Sequence, residues 1–241
     1  MGARSSGSIF WDEGYVRSTQ RPLNSLVFIL LPLIVYHACA LRYGTALLAP
    51  RDLARLLGYF GATAWILPPL LILVVLALQH VVHRYPWRVQ ISALAGMGAE
   101  SVLWVVPLFS LNYVTGRFLV AATTQPGVAL RSVLQAVGAG IYEEFIFRLV
   151  FLSLSLVILV DLLSLRRDIA AIAAVVAQAV LFSLYHLSDQ QVSGGASFPW
   201  SPFIFRTLAG VYLGGLYVCR GFGIAVGTHA CWNLCVALLA D

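Results

Sequence analysis

The sequence predicts an all-α polytopic membrane protein of about eight transmembrane helices in one bundle, and three observations carry that prediction. Hydrophobic residues make up 60% of the 241 and charged residues only 10%, against roughly 25% charged in soluble domains. Mean hydropathy is +0.88. Apolar runs of the length a helix needs to cross the hydrocarbon core, about 20 residues, follow one another almost end to end.

Residues 1–22 read as a polar N-terminal segment. It has neither the apolar core nor the small-residue cleavage site of a signal peptide, so the first apolar run is expected to be a retained span. Residues 23–241 read as the transmembrane domain, with spans near 24–41, 59–79, 92–112, 130–147, 149–165, 169–187, 202–219 and 222–240. The stretches "HRYPWR", "TTQPG", "SLRRD", "SDQQVSGGASFPWSP" and "CRGFG" separate them and gather the Arg, Pro, Gly and Ser of loops and interfaces. Between the first two spans, 44–58 has apolar residues at helical spacing with Arg51, Asp52 and Arg55 interleaved, as in a short helix lying at the interface or a helical loop. The fourth and fifth spans divide at Arg148. No second soluble domain is expected.

All fifteen basic residues are Arg, scattered rather than clustered, so the net charge of +5 does not indicate a nucleic-acid partner. Cys39, Cys219, Cys231 and Cys235 have no metal-ligand spacing and read as small buried hydrophobes. Gly210, Gly214 and Gly215 read as a close-packing helix face.

An ionisable side chain at bilayer depth costs at least about 2.5–3.5 kcal/mol, which makes each one a functional candidate. The candidates are His37, Glu100, Glu143, Glu144, Arg148, Asp161, His186 and His229, with Asn233 as a polar amide that must find a partner. Residues four apart share a helix face and adjacent ones project about 100° apart. Glu144 and Arg148 are therefore expected to pair as a structural brace. Glu143 then points elsewhere and is left as a general base or acid. His229 and Asn233, again four apart, present an imidazole and an amide together, a pair of donors suited to a developing oxyanion. His186 ends its span beside the longest flexible connection, where it can line a water-accessible cavity. His37 and Asp161 read as interface or packing residues. Glu100 reads equally as a group supporting the site or as a local helix contact.

These residues form three motifs: Glu-Glu-x-x-x-Arg at Glu143, Glu144 and Arg148, Phe-x-x-x-His at Phe182 and His186, and His-x-x-x-Asn at His229 and Asn233. Together, in that order and each within a predicted span, they resemble the CPBP (Abi) intramembrane proteases, which include the CAAX prenyl endopeptidases and bacteriocin-processing enzymes. The resemblance covers roughly residues 130–236. It implies a glutamate-dependent intramembrane endopeptidase in which Glu143 and His186 activate water, His229 and Asn233 form the oxyanion hole, and Glu144 and Arg148 support the site. The chain has no HExxH zinc helix, no Gly-x-Ser-Gly and no Gly-x-Gly-Asp. No cofactor is expected. Zinc is the alternative, held by Glu143, His186 and His229.

The expected partners are a peptide or protein substrate entering from the membrane or its interface, and the lipid bilayer itself. The expected location is the cell membrane, multi-pass, and the exclusive use of Arg points to a bacterial inner membrane. The competing function is a non-catalytic membrane protein of transporter or bacteriocin-immunity type that uses the same carboxylates and histidines to carry protons. A transporter predicts broken helices repeated in two halves, whereas these motifs cluster in the second half.

Overall fold

The structure is a computed structural model, and it describes residues 13–43, 55, 58–59, 66–115, 128–187 and 198–239. Its elements are α1 (Glu13–Thr19), α2 (Pro22–Tyr43), α3 (Leu67–Val82), α4 (Ile91–Leu103), α5 (Val106–Val114), α6 (Val128–Glu144), α7 (Arg167–Tyr185), α8 (Trp200–Arg220) and α9 (Phe222–Leu239). Helices α4 and α5 make one bent rod, since Pro107 in the first turn of α5 has no amide hydrogen to offer the turn before it. Helix α6 continues unbroken as a π-helical stretch Phe145–Leu152, one α turn Ser153–Leu156 and a second π stretch Val157–Leu162. The described residues thus form eight helical rods, and no strand occurs among them. Five are long and apolar enough to cross a membrane, and Leu67–Val82 and Phe222–Leu238 are shorter apolar helices.

The chain is all-α and polytopic as expected, but two details differ. No break occurs at Arg148, where two spans were expected: one rod runs through it, because that arginine is buried against the bundle rather than placed at an interface. The four cysteines are free, Cys219 exposed and the others half-buried, and so lie nearer the outer surface of the bundle than the expected core positions. The proposed interfacial helix at 44–58 lies outside the described residues except at positions 55 and 58.

Packing follows from which apolar side chains find partners. Ile29, Leu33 and Tyr36 of α2, Ile72 and Leu76 of α3, Ile141, Tyr142, Phe145 and Leu149 of the α6 rod, and Phe222 and Val226 of α9 form the main core. Many other large apolar side chains face outward, among them Leu31, Leu41, Val102, Ile172 and Leu238, as befits helices whose outer solvent is hydrocarbon.

Hydrogen bonds fix the directions of the rods. Ser18 donates to Gln90 at 2.7 Å and Gln20 to the Cys219 carbonyl at 2.9 Å, so the start of α2, the α3–α4 connection and the α8–α9 turn share one end. At the other end Ser201 donates to the Thr115 carbonyl at 2.9 Å, and Ser183 to the Phe203 carbonyl at 2.8 Å. The α8–α9 turn closes at Gly221, whose φ of 92° suits glycine and whose absent side chain leaves room for the Thr19 carbonyl.

One buried polar cluster locks the first end. Arg220 donates to both oxygens of Glu100, at 2.5 and 2.8 Å, and Glu100 also accepts from Tyr15 at 2.8 Å and from the Trp104 indole at 2.8 Å. Glu100 is therefore a brace joining α1, α4 and α8, which reaches well beyond the local helix contact that was one of its two readings. Burial, then the hydrogen bond to Glu100 and its charge, raise the pKa of the Tyr15 hydroxyl. It stays a donor.

Candidate active site

The site is built where α6 crosses α9. A Cβ on Gly140 would lie 2.8 Å from the Ala230 backbone, so the two helices touch there with nothing between them. On one side of this contact Glu144 meets His229, and on the other Asn233 donates to the Ala136 carbonyl at 3.3 Å. The i,i+4 spacing of 136, 140 and 144 on α6 thus reads against 233, 230 and 229 on α9.

Glu144 and Arg148 pair as the helix spacing predicts, at 3.0 Å, with both side chains fully buried. The guanidinium also reaches the Gly210 carbonyl at 3.5 Å and lies 4.7 Å from the centre of the Phe182 ring. The same Glu144 oxygen that takes Arg148 accepts from His229 Nδ1 at 2.7 Å. With Glu144 ionised by its arginine, Nδ1 must carry the hydrogen. The other ring nitrogen, Nε2, faces Glu143 at 3.7 Å.

Glu143 projects away from Glu144, as expected. Its Oε1 lies 3.5 Å from His186 Nε2, and its Oε2 is the oxygen nearer His229. His186 is fixed independently of Glu143. Its Nδ1 lies 2.7 Å from the Phe182 carbonyl, which can only accept, so Nδ1 carries the hydrogen and Nε2 is the ring nitrogen turned toward Glu143. Arg206 donates to the His186 carbonyl at 3.3 Å. Phe182 is the ring around which the site is arranged, 4.6 Å from the His186 ring and 6.1 Å from that of His229, centre to centre.

Glu143, His186 and Asn233 line one cavity of about 460 Å³, together with Ser132, Gln135, Ala136, Ala139, Trp232, Val236 and Ala237. His229 stands behind Glu143, in contact with both carboxylates. Among the described residues no group of three or more His, Cys, Asp or Glu side chains is arranged to hold a metal ion. His37 meets the Tyr142 hydroxyl in a short hydrogen bond, and Asp161 is exposed near the far end of the α6 rod, so neither enters the site. Gly210 and Gly214 pack closely on α7, at Ala179 and at Gln178 with Val175, whereas Gly215 faces open space.

The family described as type II CAAX prenyl endopeptidase Rce1-like matches residues 125–235. That segment is similar to this family. It contains all seven motif residues, from Glu143 to Asn233, and agrees with the resemblance to the CPBP proteases. At the level of family the match supports a CAAX-type intramembrane protease, and with the apolar helices it supports a membrane protein. No curated protein and no solved structure matched the chain.

Reading the sequence did not find three features of this segment. The bond from His229 to Glu144 joins residues far apart in the chain, and no spacing rule reports it. Gly140, the contact point that makes the bond reachable, resembles any other helix glycine. Gln135 and Ser132 share the face of Glu143, at i−8 and i−11, a signal that the helical period does carry.

Proposed function

We propose that the protein is an intramembrane endopeptidase that hydrolyses a peptide bond of a membrane-associated or C-terminal-tail substrate without a metal ion. The observation that carries this reading is the shared cavity of Glu143, His186 and Asn233, with His229 against Glu143. A water in that cavity meets two acceptors, the Glu143 carboxylate and the His186 Nε2 lone pair. Glu143 takes a proton from the water as its oxygen bonds to the carbonyl carbon, and His186 orients the water. The carbonyl electrons move to oxygen. Asn233 Nδ2 has two hydrogens, so one can stay on the Ala136 carbonyl while the other meets the oxyanion. His229 can donate from Nε2 only as the imidazolium, because Nδ1–H is committed to Glu144. Collapse of the tetrahedral intermediate breaks the C–N bond, and Glu143 returns its proton to the departing amine.

The metal-free course is supported by Asn233, a poor zinc ligand but a good oxyanion donor. We place the protein in the inner membrane of a bacterium, with substrate entering from the membrane or its interface and no nucleic-acid partner. The test uses detergent-purified protein treated with a strong zinc chelator, shown metal-free by elemental analysis, and assayed on a pool of quenched fluorescent peptides. Cleavage by the metal-free wild type, absent in Glu143→Gln, is the expected result. Proton-coupled transport by reconstituted protein without any cleavage would favour the competing non-catalytic function. Activity restored only by stoichiometric zinc would overturn the metal-free course.

A further inference from the structure

We infer that Gln135 is a substrate-binding residue, which holds the main chain of an extended, uncharged peptide three to four residues from the bond that is cut. The inference rests on the protease reading of the cavity and adds a position to it. Ser132, Gln135, Ala136, Ala139 and Glu143 form one stripe of α6, and Trp232, Asn233, Val236 and Ala237 of α9 form the facing wall. Between Gln135 and Glu143 lie just over two helical turns, about 12 Å at 1.5 Å per residue. An extended peptide advances about 3.3 Å per residue, so a strand laid along the stripe with its scissile carbonyl at Glu143 brings its third or fourth residue to Gln135.

The chemistry of the walls suits that strand. Ala136 and Ala139 of α6 and Ala237 of α9 are small enough to let a main chain approach both helices closely. An approaching peptide brings N–H and C=O groups that lose water on entry and need partners. The Gln135 amide has both a donor and an acceptor, so it can pair with an N–H and a C=O of the substrate without reading its side chains. Gln135 is exposed to the cavity and has no hydrogen bond to a described residue. Among the described residues Glu143 is the one carboxylate that lines the cavity and no arginine does, so acidic peptides are disfavoured.

The test separates binding from cleavage. Glu143→Gln protein is titrated with a fluorescein-labelled ten-residue Ala/Leu peptide and with the same peptide shortened one residue at a time from either end, and anisotropy gives Kd. Adding Gln135→Ala to that protein should weaken binding of the full peptide about tenfold. Shortening from one end should abolish the difference once the third or fourth residue from the cut site is gone. Gln135→Glu, which keeps the size and adds a negative charge, should also weaken binding, whereas Gln135→Asn should retain part of it. In wild-type protein that cleaves peptide, Gln135→Ala should raise KM and leave kcat nearly unchanged.

Equal Kd with and without Gln135→Ala at every length, or a defect confined to kcat, would overturn the assignment even if the protein proves to be a protease. Gln135-dependent binding in a wild-type protein that cleaves nothing would leave the assignment standing and sink the protease reading. A protein that neither binds nor cleaves the peptides would sink both.

Discussion

Two glutamate–arginine pairs lie buried in this bundle, and they differ in what they leave over. At one end Glu100 and Arg220 meet through both carboxylate oxygens, with Tyr15 and Trp104 completing the set. Every carboxylate lone-pair direction has a donor. At the crossing of α6 and α9, Glu144 uses one oxygen for both Arg148 and His229 while its other oxygen has no hydrogen-bond partner. Glu143, next to it, meets two histidines only at 3.5 and 3.7 Å and faces open space. A closed cluster fixes helices. An open one keeps acceptors in reserve for something that enters, which is the condition a hydrolytic site must meet.

The difference can be broken first at its open end. Glu143→Gln keeps the volume and removes the base, so cleavage should fall by about 10²–10⁴-fold with thermal stability unchanged, as kinetics and a melting curve on the same preparation will show. Wild-type rates in the folded variant would remove Glu143 from the chemistry. Next in size, Asn233→Ala should cost about 10²–10³-fold in kcat, the usual loss of one oxyanion donor. A defect lying wholly in KM would make Asn233 a binding residue instead.

Glu144→Gln tests the brace that serves the open site. It strands Arg148 in the bundle interior at a cost of about 3–5 kcal/mol, and it also unties His229, so stability and activity should fall together. A smaller loss is expected from Gly140→Ala, which forces a methyl into the α6–α9 contact at about 1–3 kcal/mol. Because Glu144–His229 and Ala136–Asn233 span that contact, activity should drop further than stability does, and comparing the two losses checks this. The smallest effect belongs to the closed cluster. Replacing Glu100 and Arg220 together by Leu and Met leaves no buried charge alone, which is often near neutral, and costs Tyr15 and Trp104 only their shared acceptor. Cleavage by that double variant should stay within a few-fold of wild type, and a 100-fold loss would show that the two clusters are coupled.

The helical period made much of the site legible. Spacing alone put Arg148 opposite Glu144, turned Glu143 away, and set Asn233 on the face of His229. Spacing could not say which helices meet, and the consequences of that are visible residue by residue. The sequence assigned Glu144 a single partner, and His229 came from elsewhere in the fold to be the second. Glu100 stayed divided between two readings because its partner, Arg220, lies 120 positions away. Arg148 looked like the end of a span because arginine ordinarily marks an interface, and only packing against Phe182 and Gly210 shows why it lies inside. The π stretch that begins at Phe145 also had no sequence signal, although wide turns of this kind tend to occur beside functional residues.

The uninterrupted rod from Ser132 to Leu162 has 31 apolar-rich residues, about 45 Å of helix for a hydrocarbon core about 30 Å thick. Lipid thickness therefore acts on it directly. The rod must lean steeply, thicken the bilayer around itself, or push one end into the headgroups. Glu143 lies about a third of the way along, so a change in lean moves it relative to the shorter α7 and α8 that hold His186. Any peptide turnover in vesicles made from lipids of different acyl-chain length should accordingly pass through an optimum, with the membrane acting as an adjustable part of the site.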